Sequence, residues 1–207
     1  YMLSKDSERE IHFVERYISA DRAAVDIGVH LGFYTRHFTR FAKSVIGFEA
    51  NPASAKFAQS VFGKSVRIEW SAVSSEGGSA TLRIPVRVGD VAALGTISDA
   101  NRLEGHEFTE VSVPKKRLDD FDLPQIGFIK IDVEGHELAV LRGFDHMLAA
   151  RRIDAMQFEY GGTWIDSRSW LKDAFEMLQG HGYVVGKIYP SGIRWYERYE
   201  VALEKFQ

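Results

Sequence analysis

The chain has 207 residues, a hydrophobic fraction of 45% and a net charge of −3 at neutral pH. This size and apolar content predict one α/β domain over residues 1–207. The slight negative charge argues against nucleic acid as a partner, and the absence of cysteine excludes disulfides and thiolate chemistry. No stretch approaches 18 apolar residues, so we expect no membrane span. The polar N-terminus has no signal-peptide core, and we expect a cytoplasmic protein.

Strands and helices alternate along the first part of the chain. Apolar residues at helical spacing predict a helix over residues 7–19, within an N-terminal segment 1–20. The elements predicted next are a strand at 23–27, a helix at 33–42, a strand at 44–48, a helix from Asn51-Pro52 and a strand at 66–73. Such alternation is typical of βαβ units and a mostly parallel sheet.

The pattern changes at Gly77-Gly78, which precede a segment typical of a hairpin strand. Residues 87–110 are polar and aperiodic, and loops of that length are commonly functional. We therefore expect residues 77–120 to form a hairpin and loop insertion near the active site. The elements predicted after it are a strand and turn at 128–135, a helix to 150, a strand at 155–159, a helix at 169–181, a strand at 182–189 and a last strand within 194–203.

A glycine-bearing turn joins the first strand to the next helix. Gly28 and Gly32 would let the backbone approach a ligand closely, and the helix N-terminus offers free N–H groups. Glu49 ends the second strand, at the place where an acid can accept the hydroxyl protons of a ribose. With Asp26 before the turn, the pattern predicts that a nucleoside cofactor binds here.

A dinucleotide such as NAD is the alternative cofactor, and two features disfavour it. The turn lacks the G-x-G-x-x-G spacing, because three residues separate Gly28 from Gly32. Asp26 would also face a pyrophosphate unfavourably, whereas it suits a cofactor that carries an amino group and a sulfonium cation. An NAD-dependent enzyme therefore stays the weaker interpretation.

A second group of ionisable residues follows a strand that ends near residue 131. Its members are Lys130, Asp132, Glu134, His136 and Glu137. Ligands bind at the carboxyl ends of parallel strands, so Asp132 should share a cleft with Asp26 and Glu49. We interpret Asp132 and Glu134 as functional and Glu137 as a solvated acid in the first turn of a helix. For Lys130, a strand residue that extends its ammonium to solvent is the alternative.

These motifs resemble the FkbM family of S-adenosylmethionine-dependent methyltransferases. The resemblance covers about residues 24–183 and rests on VDIGVHLGFYT, GFEANP and, above all, FIKIDVEGHELAVLRG. It implies a Rossmann-like α/β fold, a three-layer sandwich with a mostly parallel seven-stranded sheet whose last strand is antiparallel. It also implies S-adenosyl-L-methionine as cofactor and O-methylation of a small molecule, sugar, glycan or natural product.

The resemblance further implies a cofactor site around the first three strands. Asp26, Gly28 and Gly32 would hold the methionyl part and Glu49 the ribose. The other cofactor-binding candidates are His30, Tyr34, Thr35, Ala50, Asn51, Ser71, Ala72, Val73 and Asp132. His30 stands where the family often has Asn, and it is also a candidate base.

Methyl transfer from a sulfonium is an in-line displacement, for which the protein aligns the acceptor and takes its proton. The catalytic candidates are Asp132, Glu134, His136 and Lys130. Asp132 and Glu159, which ends the fifth strand, could also bind Mg²⁺ and an acceptor diol. A cofactor-binding protein of the same fold without methyl transfer is the alternative from another functional class. An RNA methyltransferase is disfavoured by the acidic balance.

Overall fold

The computed structural model describes residues 10–86, 95–98 and 107–205. The strands are β1 (Ala23–Ile27), β2 (Ser44–Glu49), β3 (Arg67–Trp70), β4 (Ala72–Val73), β5 (Gly78–Pro85), β6 (Phe108–Lys116), β7 (Ile126–Ile131), β8 (Ile153–Phe158), β9 (Val185–Tyr189) and β10 (Gly192–Tyr196). The helices are α1 (Ile11–Val14), α2 (Phe33–Phe38), α3 (Pro52–Phe62), α4 (Glu137–Arg142), α5 (Asp145–Ala149), α6 (Gly162–Asp166) and α7 (Leu171–Gly180).

Five parallel strands form the central sheet, in the order β3-β2-β1-β7-β8. β1 and β7 are buried along their whole length, as expected for strands covered on both faces. On one face Ala24 packs with residues of α2, and on the other Val25 packs with residues of α4 and α7. This three-layer, mostly parallel arrangement confirms the Rossmann-like fold. The strand order reverses between β1 and β7, which is where such sheets bind ligands.

Two smaller sheets accompany the central one. β5 and β6 pair antiparallel over eight positions, and β4 runs parallel to β6. Residues 95–98 return to this sheet, because Thr96 bridges Arg83. The rest of the loop predicted over 87–110 lies outside the described residues, except for 107–110. β9 and β10 form a separate antiparallel hairpin.

Several predicted elements differ from the structure. The sheet that the described residues form around β1 has five strands rather than seven, because β9 pairs with β10 instead of joining it. The strand predicted over 66–73 is divided at Ser71 between two sheets. The helix predicted to end at residue 150 is broken at Gly143, where a Cβ would lie 2.1 Å from the backbone oxygen of Ser74.

At the N-terminus, α1 spans only Ile11–Val14 and continues as a 3₁₀ turn over Glu15–Tyr17. Residues 7–9 of the predicted helix lie outside the described residues. In the part of the chain that the structure covers, no helix combines the length and apolarity needed to cross a bilayer.

Gly28 is held at the end of β1 by contact between two strand ends. Its φ is +92°, and a Cβ there would lie 1.9 Å from the backbone oxygen of Asp132. Gly63 also has a positive φ, of +57°, but a Cβ there would meet nothing within 4 Å. A Cβ at either position would strain the backbone, but only at Gly28 would it also meet a steric conflict.

We expect Gly28→Ala to lower the free energy of unfolding by at least about 2 kcal/mol more than Gly63→Ala, since an overpacked contact is added to the strain. Urea unfolding of both variants measures the difference. Equal losses would mean that the backbone at Asp132 moves aside at no cost.

Candidate active site

A cleft opens at the carboxyl ends of β1, β2 and β7, beside the reversal of strand order. Its unfilled volume is about 610 Å³, a figure that includes open solvent. The candidate residues that line it are Gly28, His30, Glu49, Ala50, Asn51, Ser71, Ala72, Val73, Asp132, Glu134 and His136. Residues far apart in the sequence are thus brought together around one hollow.

Glu49 lies at the tip of β2 and connects two loops through its carboxylate. Oε2 accepts the backbone N–H of His30 at 2.7 Å, and Oε1 accepts that of Asn51 at 2.7 Å. The side chain is buried, and this burial raises the pKa of Glu49 above its ordinary value. Each carboxylate oxygen keeps lone-pair capacity, so Glu49 can accept ligand hydroxyls while it holds the turn after β1 against the start of α3.

The wall beside Glu49 is mostly apolar on its cleft side. The polar side chains in it are used internally, since Asn51 caps α3 by accepting the N–H of Ala53 at 2.9 Å. The Ser71 hydroxyl donates to the carbonyl oxygen of Ala72 at 3.0 Å. Ala50, Ala72 and Val73 then leave a surface of the kind that packs against a planar ring.

The sheet of β4, β5 and β6, together with residues 95–98 beside it, contributes cleft residues that no local sequence signal marks. Leu82, Gly95 and Ile97 line the cleft, and Leu82 and Ile97 pack with Ala72 in one apolar cluster. Their only sequence indication is the predicted insertion over 77–120, which carries no motif that marks individual residues. Thr96 fixes this segment, because its hydroxyl donates to the carbonyl oxygen of Glu134 at 3.0 Å.

Four of the cofactor-binding candidates do not line the cleft but support its wall: Asp26, Gly32, Tyr34 and Thr35. Asp26 is buried on the α2 side of β1, where the Thr35 hydroxyl donates to Oδ2 at 2.5 Å. Burial raises the pKa of Asp26 to about 7. A Cβ on Gly32 would lie 2.6 Å from the ring of Phe62, so this glycine allows α2 and α3 to pack. Asp26 lies outside the cleft because side chains alternate along β1 and this one faces α2.

Lys130 is a buried cation rather than a residue that extends to solvent. Lys130 lies on β7, in register with Asp26 of the neighbouring strand β1, and only 4% of its surface is exposed. Its Nζ lies 3.3 Å from Oδ2 of Asp132 and 5.0 Å from the centre of the Tyr34 ring. Lys130 does not line the cleft, and it acts there through Asp132.

Asp132 and Glu159 extend β7 and β8 by one residue each, directly after the register pair Ile131 and Phe158. They share a hydrogen bond, which with burial raises the pKa of Glu159 to about 8. Burial opposes ionisation of Asp132, but Lys130 and the hydrogen bond outweigh it and lower the pKa of Asp132. Near neutral pH the Glu159 carboxyl therefore donates to an Asp132 carboxylate, and the pair holds one proton.

This shared proton bears on the magnesium prediction for Asp132 and Glu159. Mg²⁺ binds ionised carboxylates, so it would have to displace the proton that this pair holds near neutral pH. Within residues 10–86, 95–98 and 107–205, no group of three or more His, Asp or Glu side chains could hold a metal ion. The described residues therefore give the magnesium site no support.

Glu137 supports the turn after β7, and the prediction that it is a solvated helix acid was wrong. Glu137 is 1% exposed, not solvated. Its Oε1 accepts the N–H of Val133 at 2.9 Å and that of Gly135 at 3.3 Å, because the turn folds back over the start of α4. Burial raises the pKa of Glu137 to about 7. Glu137 thereby fixes the shape of the segment that carries Glu134.

The remaining ionisable candidates lie along the rim of the cleft. The Nε2 atom of His136 is 2.9 Å from the Ser74 hydroxyl, which follows β4. His30 and Glu134 both adopt positive φ, of +50° and +54°. Burial raises the pKa of Glu134 above its ordinary value. Asp132, Glu134, His136 and His30 are thus all in the cleft, and any of them can face a ligand.

Comparison with known families identifies this arrangement. The family described as Methyltransferase FkbM domain matches residues 26–185. This chain belongs to the FkbM methyltransferase family. The match runs from the last two residues of β1 to the first residue of β9, and it includes β2, β3, β7 and β8 of the central sheet in full. No curated protein matches the chain.

Solved structures agree with the FkbM assignment at the level of the fold. The methyltransferase FkbM of Methylobacillus flagellatus has 15% identity and a TM-score of 0.52, over 78% of this chain and 38% of its own. This chain thus spans well under half of that protein. A Streptococcus mutans protein described as a methyltransferase and solved with SAH has 9% identity and a TM-score of 0.51, over 89% of both chains. An rRNA methylase from Streptococcus thermophilus has 10% identity and a TM-score of 0.50, over 91% of this chain and 89% of its own.

Proposed function

We propose that this FkbM family member is an S-adenosylmethionine-dependent O-methyltransferase that acts on a hydroxyl of a small molecule, sugar, glycan or natural product. The observation that carries the proposal is the single cleft shared by Glu49 and Asp132, which come from different strands. Family membership and the fold shared with a protein solved with S-adenosylhomocysteine support the choice of cofactor.

Each part of this cofactor has a chemically suitable residue in the cleft. Glu49 can accept ribose hydroxyls with lone pairs that the backbone N–H groups leave free. Ala50, Ala72 and Val73 provide an apolar surface for adenine. Asp132 offers negative charge for the sulfonium, which S-adenosylhomocysteine lacks. When bound, the cofactor would supply the methyl group as a sulfonium substituent.

Asp132 is the base we assign for the acceptor. Its carboxylate lines the cleft and is kept ionised by Lys130, which lies behind the wall. While a bound cofactor would supply the methyl group, Asp132 would take the proton that the acceptor hydroxyl loses. Glu159 positions Asp132 through their hydrogen bond and sets how readily the pair takes that proton.

The hairpin segment 77–120 is assigned to the same functional unit, so that residues 1–207 act as one domain. Leu82 and Ile97 support this proposal, because they belong to the insertion and line the cleft together with Glu49. The acceptor would approach from the side of this segment.

We expect the chain to bind S-adenosylhomocysteine and not NAD⁺, because the turn at Gly28 lacks a pyrophosphate-binding spacing and Asp132 repels phosphate. Isothermal titration with each ligand measures this. Methyl transfer is then measured with labelled S-adenosylmethionine on a panel of sugars and polyketides. NAD⁺ binding without S-adenosylhomocysteine binding would refute the assignment, and cofactor binding without transfer would favour a non-catalytic cofactor-binding protein.

A further inference from the structure

A second groove adjoins the cleft between β5 and α4. It has about 1170 Å³ of unfilled volume, including the part open to solvent. Ile97 and His136 line both hollows, so the groove and the cleft adjoin at these two residues. A molecule bound in the groove would therefore lie next to the cleft that contains Asp132.

The groove is lined by hydroxyl groups and positive charge. The hydroxyl-bearing side chains in its lining are Ser79, Thr81, Ser98, Ser167 and Ser169. Lys115 and Arg142 are its cations. Among the described residues that line it there is neither Asp nor Glu, although acids outnumber bases in the chain. This composition differs from that of the cleft, which contains Glu49, Asp132 and Glu134.

Arg142 is the cation most available to a ligand. Arg142 lies in the last turn of α4 and is exposed. It forms no ion pair with any residue that the structure describes. The Lys115 ammonium is partly compensated, since it lies 2.9 Å from the exposed carboxylate of Glu76. A bidentate anion such as a carboxylate or phosphate suits the guanidinium of Arg142.

We propose that this groove binds the methyl acceptor and that the acceptor is an anionic sugar, with hydroxyls toward the Ser and Thr side chains and its carboxylate or phosphate toward Arg142. The inference rests on the proposed function and names its substrate class. A nucleic acid fits less well, because two cations in a chain of net charge −3 cannot neutralise a run of phosphates.

The test compares glucuronate, glucose 6-phosphate and glucose by ligand-observed NMR at low salt, with and without S-adenosylhomocysteine. We expect at least one of the two anionic sugars to bind about tenfold more tightly than glucose, as charge-assisted hydrogen bonds predict. Arg142→Gln should reduce that preference about tenfold. Arg36→Gln, at an exposed arginine of α2 outside both hollows, is the matched control and should leave it unchanged.

Each result decides the question. Preference for glucuronate alone or glucose 6-phosphate alone identifies the anionic group. Equal binding of all three sugars, absence of binding, or a preference that survives Arg142→Gln would overturn the groove assignment. Displacement of the sugars by a short RNA at lower concentration would assign the groove to nucleic acid instead. If the proposed function is wrong, the chain will not bind S-adenosylhomocysteine. The sugar comparison made without that ligand still tests the groove by itself.

Discussion

Asp132→Asn is expected to lower kcat for methyl transfer by about 10²- to 10⁴-fold, the usual effect of removing a general base. The amide cannot accept the proton of the acceptor hydroxyl, but its oxygen can still face the Lys130 ammonium that now lies 3.3 Å from Oδ2. Binding of S-adenosylhomocysteine should therefore change by less than about threefold, well under the cost of a lost charged hydrogen bond. Single-turnover transfer of labelled methyl and calorimetry measure the two quantities.

The pH dependence of the same reaction provides a second readout. Because the pKa of Glu159 is raised to about 8, the pair holds a shared proton below that pH and loses it above. Loss of the proton makes Asp132 a stronger base, so the wild-type rate should rise as pH passes through about 8. In Glu159→Gln the amide still donates to Asp132 but cannot titrate, and this rise should disappear.

Asp122→Asn is the control for Asp132→Asn, since Asp122 is exposed and does not line the cleft. It should leave the rate and its pH profile unchanged. A wild-type rate in Asp132→Asn would transfer the role of base to another ionisable group in the cleft, His136 or Glu134. A ¹³C NMR titration of the Glu159 carboxyl checks the shared proton without any acceptor.

The first strand and the strand-end acids could be predicted from the sequence, because a local pattern is enough to define them. Ala23–Ile27 has the bounds expected for it, because a short, mostly apolar run between polar residues is typical of a buried strand. Glu49 and Asp132 follow such strands, and parallel strands bring their carboxyl ends to one edge. Their common cleft is therefore a consequence of topology.

Other features depend on contacts that are distant in sequence. The run over 66–73 is uniformly strand-like, and its division at Ser71 arises because β4 pairs with β6 rather than with β2. Glu137 has the position of a solvated helix acid, but the turn at Val133 and Gly135 closes over it. Lys130 is buried because Tyr34 and Asp132 together compensate its charge, which no local pattern indicates.

Glu49→Ala is expected to weaken binding of S-adenosylhomocysteine by about 1–3 kcal/mol, or about 5- to 150-fold, the cost of leaving buried hydroxyl partners without an acceptor. The same change leaves the N–H groups of His30 and Asn51 without their acceptor, so the free energy of unfolding should also fall. Calorimetry well below the unfolding temperature measures the affinity. Glu69→Ala, on the neighbouring strand β3 and outside the cleft, is the control.

The loss of affinity has two sources, and a modified ligand separates them. If Glu49 binds the ribose, the 2′-deoxy analogue of S-adenosylhomocysteine already lacks one partner, so Glu49→Ala should cost it less than it costs the parent ligand. If Glu49 acts only by holding the turn at His30 to the start of α3, both ligands should lose the same factor. Equal losses of affinity for the two ligands would therefore show that Glu49 does not bind the ribose. The cleft would remain a ligand site, because displacement of the turn would account for the weaker binding.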